Sequence, residues 1–302
     1  MGIGGGPYHG RHHGKLSIGR WWLCHTRSFA TLYGWIGENH MSKRLQGKKI
    51  LLTNDDGIHA PGMQVMEEAA RQLSDDVITV APSINQSGMA HALTLHSPLR
   101  IHEHGPGRYS VDGTPTDCVL MAVRHLLKDD LPDLILSGVN FGQNMAEDVT
   151  YSGTVAAAME GTTLGIPSLA FSQAFGVHTN GPNFDIARKY LPDLAADLYL
   201  EGFPSHVLLN VNFPDTEDGH ARGIRVTRQG QRDQKHADLL ERHDARRQPY
   251  YWIGFTRREE LPLENSDLSA VRSGYISVTP LHLDLTEHDQ VGRMAGDLNK
   301  DF

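Results

Sequence analysis

The sequence predicts an α/β protein, a doubly wound and mainly parallel sheet with an antiparallel hairpin extension at its C-terminal end. Three observations lead there. Short aliphatic or β-branched runs alternate with helical apolar patterns from residue 48 to residue 214, the signature of strand–helix–strand crossovers. Several of those runs end in polar, glycine-bearing clusters, where an open parallel sheet collects ligands. Beyond about residue 215 strand-like pieces follow one another without regular helices between them.

With 302 residues the chain fits one large α/β domain with appendages. A formal charge of -8 gives no global attraction for nucleic-acid duplexes or anionic membranes, so an anionic substrate needs local positive features. Cys24 and Cys118 make neither a disulfide framework nor a Cys-x-x-Cys pair, and a reducing, cytoplasmic setting is expected. Residues 1–46 read as a disordered N-terminal extension, with residues 47–302 as the folded unit. The first acidic residue is Glu38, a bias shared with transit peptides, but residues 21–36 are too short and too polar to span a bilayer.

Residues 48–52 form an apolar run that ends in Thr53-Asn54-Asp55-Asp56-Gly57 and reads as the first, buried strand. Neighbouring residues on a strand face opposite ways, so Asp55 and Asp56 can serve one cation only if the chain is already turning. Gly57 permits that turn. Pro61 suits a first helical turn, and Met63, Val65, Met66, Ala69, Ala70 and Leu73 supply the apolar face. Residues 77–81 are the second strand, closed by Pro82. Residues 83–113 form a long irregular excursion with short edge strands expected at 93–95 and 109–111. Thr114, Pro115 and Asp117 signal a helix start, with Cys118 a small core residue in its buried stripe.

Residues 133–137 are the third strand, and Gly138-Val139-Asn140-Phe141-Gly142 places Asn140 just past it. Tyr151-Ser152-Gly153-Thr154 opens an alanine-rich helix. Residues 166–171 and 207–214 are further strands, separated by an amphipathic helix over 186–200. Residues 223–228, 250–254 and 274–280 are strand-like, and the charged stretch 231–247 reads as a solvated loop. An appended antiparallel region over about 215–302, suited to subunit contacts, is expected.

At the strand ends Asp55, Asp56, Ser87 and Asn140 offer two carboxylates, a hydroxyl and an amide carbonyl. Such hard oxygens suit Mg²⁺ or Mn²⁺ and disfavour zinc. The start at Ser152, Gly153 and Thr154 could face a phosphate. Each piece alone is a common turn, loop amide or N-cap; their joint placement points to phosphate-ester hydrolysis. His59, His91 and His96 lie nearby, but spacing gives no preference among them.

Asn54-Asp55-Asp56-Gly57 with Ala60-Pro61-Gly62, then Ala81-Pro82, Ser87-Gly88, Gly113-Thr114-Pro115-Thr116-Asp117, Ser137-Gly138-Val139-Asn140 with Gly142 and Asn144, and Tyr151-Ser152-Gly153-Thr154 followed by Ala156-Ala157-Ala158-Met159-Glu160 closely resemble the SurE family of nucleotidases. The resemblance implies a Rossmann-like sheet, a C-terminal arm, and a homodimer or homotetramer. It implies hydrolysis of nucleoside 5′- and 3′-monophosphates, extending in some members to short polyphosphate. By resemblance, one divalent metal ion (Mg²⁺ or Mn²⁺) per subunit is held by Asp55, Asp56, Ser87 and Asn140, with Asp55 and Asp56 catalytic. Asn54, Gly88, Asn144, Ser152, Gly153 and Thr154 line the substrate. Ser83 departs from the acidic residue usual in the family, and Asn85 and Gln86 differ too; these changes are expected to bear on substrate contacts. A haloacid-dehalogenase-like phosphatase would need Asp-x-Asp, whereas here Asn54 precedes an adjacent Asp pair. A non-catalytic nucleotide- or metal-binding module is the other alternative.

Overall fold

The computed structural model describes residues 43–176, 178, 183–232, 237–255 and 263–298. The expected N-terminal extension lies outside the described residues up to residue 42; residues 43–46 form a turn in which Leu45 is buried and its N–H donates to the Leu73 carbonyl.

β1 (Ile50–Thr53) is buried at every position. It is covered on both faces: Ile50 and Leu52 enter one core, with α1 (Pro61–Leu73), while Leu51 enters another with Val119 and Ala157. A strand that must satisfy two cores shows a continuous apolar run, which is why residues 50–52 do not alternate. β1 pairs in parallel with β2 (Val77–Pro82) on one side. β3 (Ile101–Gly105) and β4 (Arg108–Val111) form a hairpin at that edge, with β4 parallel to β2. The expected strand at 93–95 is absent and the edge strand falls at 101–105 instead. Leu93 and Leu95 are exposed, so no pairing partner rewards extended backbone there.

α2 (Pro115–Met121) begins with a complete capping box between Thr114 and Asp117, and a wider helical turn over Ala122–Leu126 continues it. Cys118 is buried within it. β5 (Leu134–Phe141) then pairs with β1 on its other side, also in parallel. Strand order therefore reverses at β1, and the crevice above β1 and β5 is the topological switch point. β5 runs four residues further than expected, past a register shift between Ser137 and Asn140, so Asn140 stands within the strand and not beyond it.

α3 (Gly153–Thr163), β6 (Ser168–Gln173), α4 (Asp185–Glu201) and β7 (Val207–Phe213) complete the parallel part. The C-terminal portion departs further from expectation. β8 (Ile224–Val226) and β11 (Ile276–His282) are not in an appended sheet: β11 pairs antiparallel with β7 and extends the main sheet to nine strands, with β8 at its edge. The charged stretch is not a loop throughout. β9 (Ala237–His243) pairs with β10 (Pro249–Phe255) as a separate two-stranded ribbon, whose cross-strand partners include Leu240 opposite Trp252. Two helices also appear here, α5 (Asp267–Arg272) and α6 (His288–Leu298). Among the described residues no helix is long and apolar enough to cross a membrane.

Candidate active site

The turn after β1 is built by its own side chains. Asn54 is buried and closes the turn reciprocally, its amide nitrogen donating to the Gly57 carbonyl at 2.9 Å while its Oδ1 accepts from the Gly57 N–H at 3.1 Å. Gly57 has φ +102°, a conformation that only glycine adopts readily. The chain has therefore left strand geometry at the aspartates, as the shared-cation reading requires.

Asp55 is buried and Asp56 half-buried. The Thr154 hydroxyl donates to Asp55 Oδ1. Asp56 accepts at Oδ1 from the Asn85 amide and at Oδ2 from the Phe141 N–H, both at 3.3 Å. Burial pushes the Asp55 carboxyl up to about 6; the Thr154 bond opposes that shift and the neighbouring Asp56 charge adds to it. Burial also raises Asp56, against the donors Phe141 and Asn85. Two adjacent carboxylates held at the cost of desolvation match a cation site better than a solvated turn.

The remaining elements converge on this pair. Gln86 N–H donates to the Asp55 carbonyl at 2.7 Å, and Ser87 N–H to Asn85 Oδ1 at 2.8 Å, which lace the loop carrying Ser87 and Gly88 onto the aspartates. Ser87 is exposed and Gly88 has open space around it. The Asn140 amide nitrogen donates to the Gly142 carbonyl at 2.8 Å, which leaves Oδ1 as its acceptor face. Ser152 caps α3 by accepting from Val155 N–H at 3.1 Å. Gly153 packs directly on the acid pair: a Cβ there would fall 2.7 Å from Asp55 Cβ. The positive end of α3 thus lies against Asp55.

Two expected substrate residues are engaged internally. Besides the turn made by Asn54, Asn144 donates from its amide to Ser172 Oγ at 2.9 Å, while its backbone N–H and carbonyl bond Asn212 and Asn210. His59 packs edge-on against His104, and His91 pairs with Glu160 at 3.0 Å. Ser83 donates to Asp112 Oδ1 at 2.7 Å, so a carboxylate stands beside the position where the family usually has one. Asn85, by contrast, touches Asp56 itself. Sequence reasoning did not single out Asn210, Asn212, Gln229 or Asp267, which support the loop after β5 from far along the chain; only the Ser266-Asp267 helix start was a local signal.

The donor set fits a hard divalent cation. Among the described residues no three His, Cys, Asp or Glu side chains are grouped to hold a metal; the residues that could do so here are two carboxylates with neutral oxygens beside them.

The sequence model described as Survival protein SurE matches residues 50–236. The chain belongs to the SurE family. Its SurE relatives include the 5′-nucleotidase SurE of Parvibaculum lavamentivorans, 54% identical over 250 residues that span 82% of this chain and 90% of that protein. The 5′-nucleotidase SurE of Azorhizobium caulinodans is 54% identical over 248 residues, 82% of this chain and 97% of its own length. The crystal structure of the SurE protein from Aquifex aeolicus superposes with a TM-score of 0.71 at 42% identity, covering 83% of this chain and 100% of that one. The SurE structure supports the Rossmann-like α/β architecture over the 83% of this chain that it covers.

Proposed function

We propose that this chain is a divalent-metal-dependent phosphomonoesterase that hydrolyses nucleoside 5′-monophosphates to nucleoside and phosphate. Nucleoside 3′-monophosphates and short polyphosphate are further substrates of the same chemistry. The observation that carries the reading is the buried Asp55 and half-buried Asp56 pair, packed under the N-terminus of α3 at the switch point. Relatives sharing about half of its residues are named 5′-nucleotidase.

Asp55 and Asp56 hold one Mg²⁺ or Mn²⁺ per subunit, with Ser87 and Asn140 as neutral oxygen donors. When bound, such a cation polarises a phosphoryl oxygen and acidifies water. The protein's part is orientation: the Thr154 hydroxyl fixes Asp55, while Asn85 and the Phe141 N–H fix Asp56. The α3 start at Ser152, Gly153 and Thr154 contributes positive potential where phosphate charge develops. Asn54 and Asn144 act by holding the two loops that frame the substrate. The protein works in the cytoplasm as a homodimer or homotetramer.

The test is turnover of AMP with Mn²⁺ or Mg²⁺ and with EDTA. Phosphate release that requires the metal and stops on chelation is expected. Full activity in EDTA overturns the mechanism, and binding of AMP without turnover overturns the enzyme reading.

A further inference from the structure

We infer that Asp267 is a positioning residue: its carboxylate fixes the bend at Ala146, and through it the placement of the helix start that packs on Asp55. The catalytic consequence rests on the phosphatase reading above; the structural one does not. Asp267 is 0% exposed and lies outside the 50–236 stretch that the family model matches. Its Oδ2 accepts from Ala146 N–H at 2.9 Å, and its Oδ1 accepts from Gly230 N–H at 2.9 Å and Leu268 N–H at 2.7 Å. A carboxylate is expensive to bury, and here it accepts from three backbone N–H groups on stretches that Gln229 and Arg232 also tie to the 146–148 turn.

Ala146 needs such a grip. Its φ is +53°, which an L side chain adopts reluctantly. Its carbonyl is held from the same segment, accepting from Gln229 Nε2 at 2.8 Å. One tight 3₁₀ turn (Ala146–Thr150) follows, and the Asp148 carbonyl accepts from both Tyr151 and Ser152 N–H at 3.0 Å. Ser152 then caps α3, and Gly153 rests on Asp55. The Met145 carbonyl accepts from Asp148 N–H, and Arg232 donates from its backbone to Glu147 Oε2 and from its guanidinium to Asp148 Oδ2, so the bend and the helix start are tied through one braced turn. Asp267 acts through this backbone and not on substrate.

Asp267→Asn in the full chain tests the inference. Asparagine keeps the shape and can still accept from Gly230 and Leu268, but it turns an NH₂ donor toward the Ala146 N–H. Amide exchange across residues 144–154 is expected to rise about tenfold or more, while β1 and β6 stay protected. With Mn²⁺ and AMP, kcat is expected to fall about tenfold to a hundredfold at an unchanged folded fraction, the scale of a misplacement near 1 Å. Adding Ala146→Gly should recover part of that loss, because glycine holds the bend without help. Unchanged exchange with kcat within twofold of the parent overturns the inference. So does a loss of turnover that vanishes once rates are expressed per folded molecule. Should Asp267→Asn fail to fold, Gln229→Ala is read in the same two assays and is expected to move both in the same direction; no movement overturns the inference. If the parent itself does not turn over AMP, the phosphatase reading fails and amide exchange decides the clamp.

Discussion

β1 and the β9–β10 ribbon are both short runs of extended chain, yet they live in opposite surroundings. Leu51 and Leu52 are 0% exposed between two cores, whereas Leu239 and Ile253 on the ribbon are 70% and 72% exposed. Burial on both faces gives β1 one register and one end point, and that is what lets the residues after Thr53 hold two carboxylates in place. Among the described residues the ribbon's two strands pair only with each other, and an isolated two-stranded hairpin is marginal in water. Its apolar surface includes Tyr251 and Trp252, at 59% and 63% exposure. The contrast is between chain that positions chemistry and chain that offers a surface.

The largest effect should come from the end of β1. Asp55→Asn or Asp56→Asn is expected to lower AMP turnover by at least about a hundredfold, since even the loss of an outer-shell partner of a metal site costs 10–100-fold. Because burial disfavours the charged form of both groups, the metal-free melting temperature should hold or rise. A drop in both activity and metal-free stability would show that the pair is structural. Four residues before Asp55, Leu51→Ala should cost about 2–5 kcal/mol by denaturant unfolding, as expected for a cavity in a closed core. A cost below about 1 kcal/mol would remove the distinction between β1 and the ribbon. The smallest effect belongs to the ribbon: Trp252→Ser with Ile253→Ser should change subunit stability by about 0.5 kcal/mol or less while shifting sedimentation toward smaller species. A loss of subunit stability as large as that of Leu51→Ala would mean that the ribbon is part of the core.

What could be read from the sequence follows the same division. Asp55, Asp56 and the Ser152-Gly153-Thr154 helix start announced themselves because turn chemistry and capping are local. β5 ran on through Gly138 because β6 continues to pair with it at Asn140 and Phe141, a reward that lies elsewhere in the chain. β11 looked appended because nothing in residues 276–282 says that β7 is its neighbour. In the ribbon, Glu241, Arg242 and His243 read as loop because a strand exposed on both faces has no apolar period to reveal it. The Ser266-Asp267 helix start was local, but the role of Asp267 was hidden for the same reason as the pairing of β11: its partner Ala146 is 121 residues away.

In the sequence the ribbon lies between two stretches of chain, one holding Gln229 and Gly230, the other Asp267. Those stretches also grip Ala146, so described chain on both sides of the ribbon in sequence is anchored at the site loop. Length changes are therefore unequal in their consequences. At the tip, where Asp244 and Gln248 close the turn, extra residues alter only how far the ribbon reaches. Between Gln229 and Gly230, a single inserted residue breaks the joint grip of Gln229 on Ala146 and of Gly230 on Asp267. Drift among related sequences, and any tag spliced in for labelling, should accumulate at the tip and spare Gln229, Gly230 and Asp267.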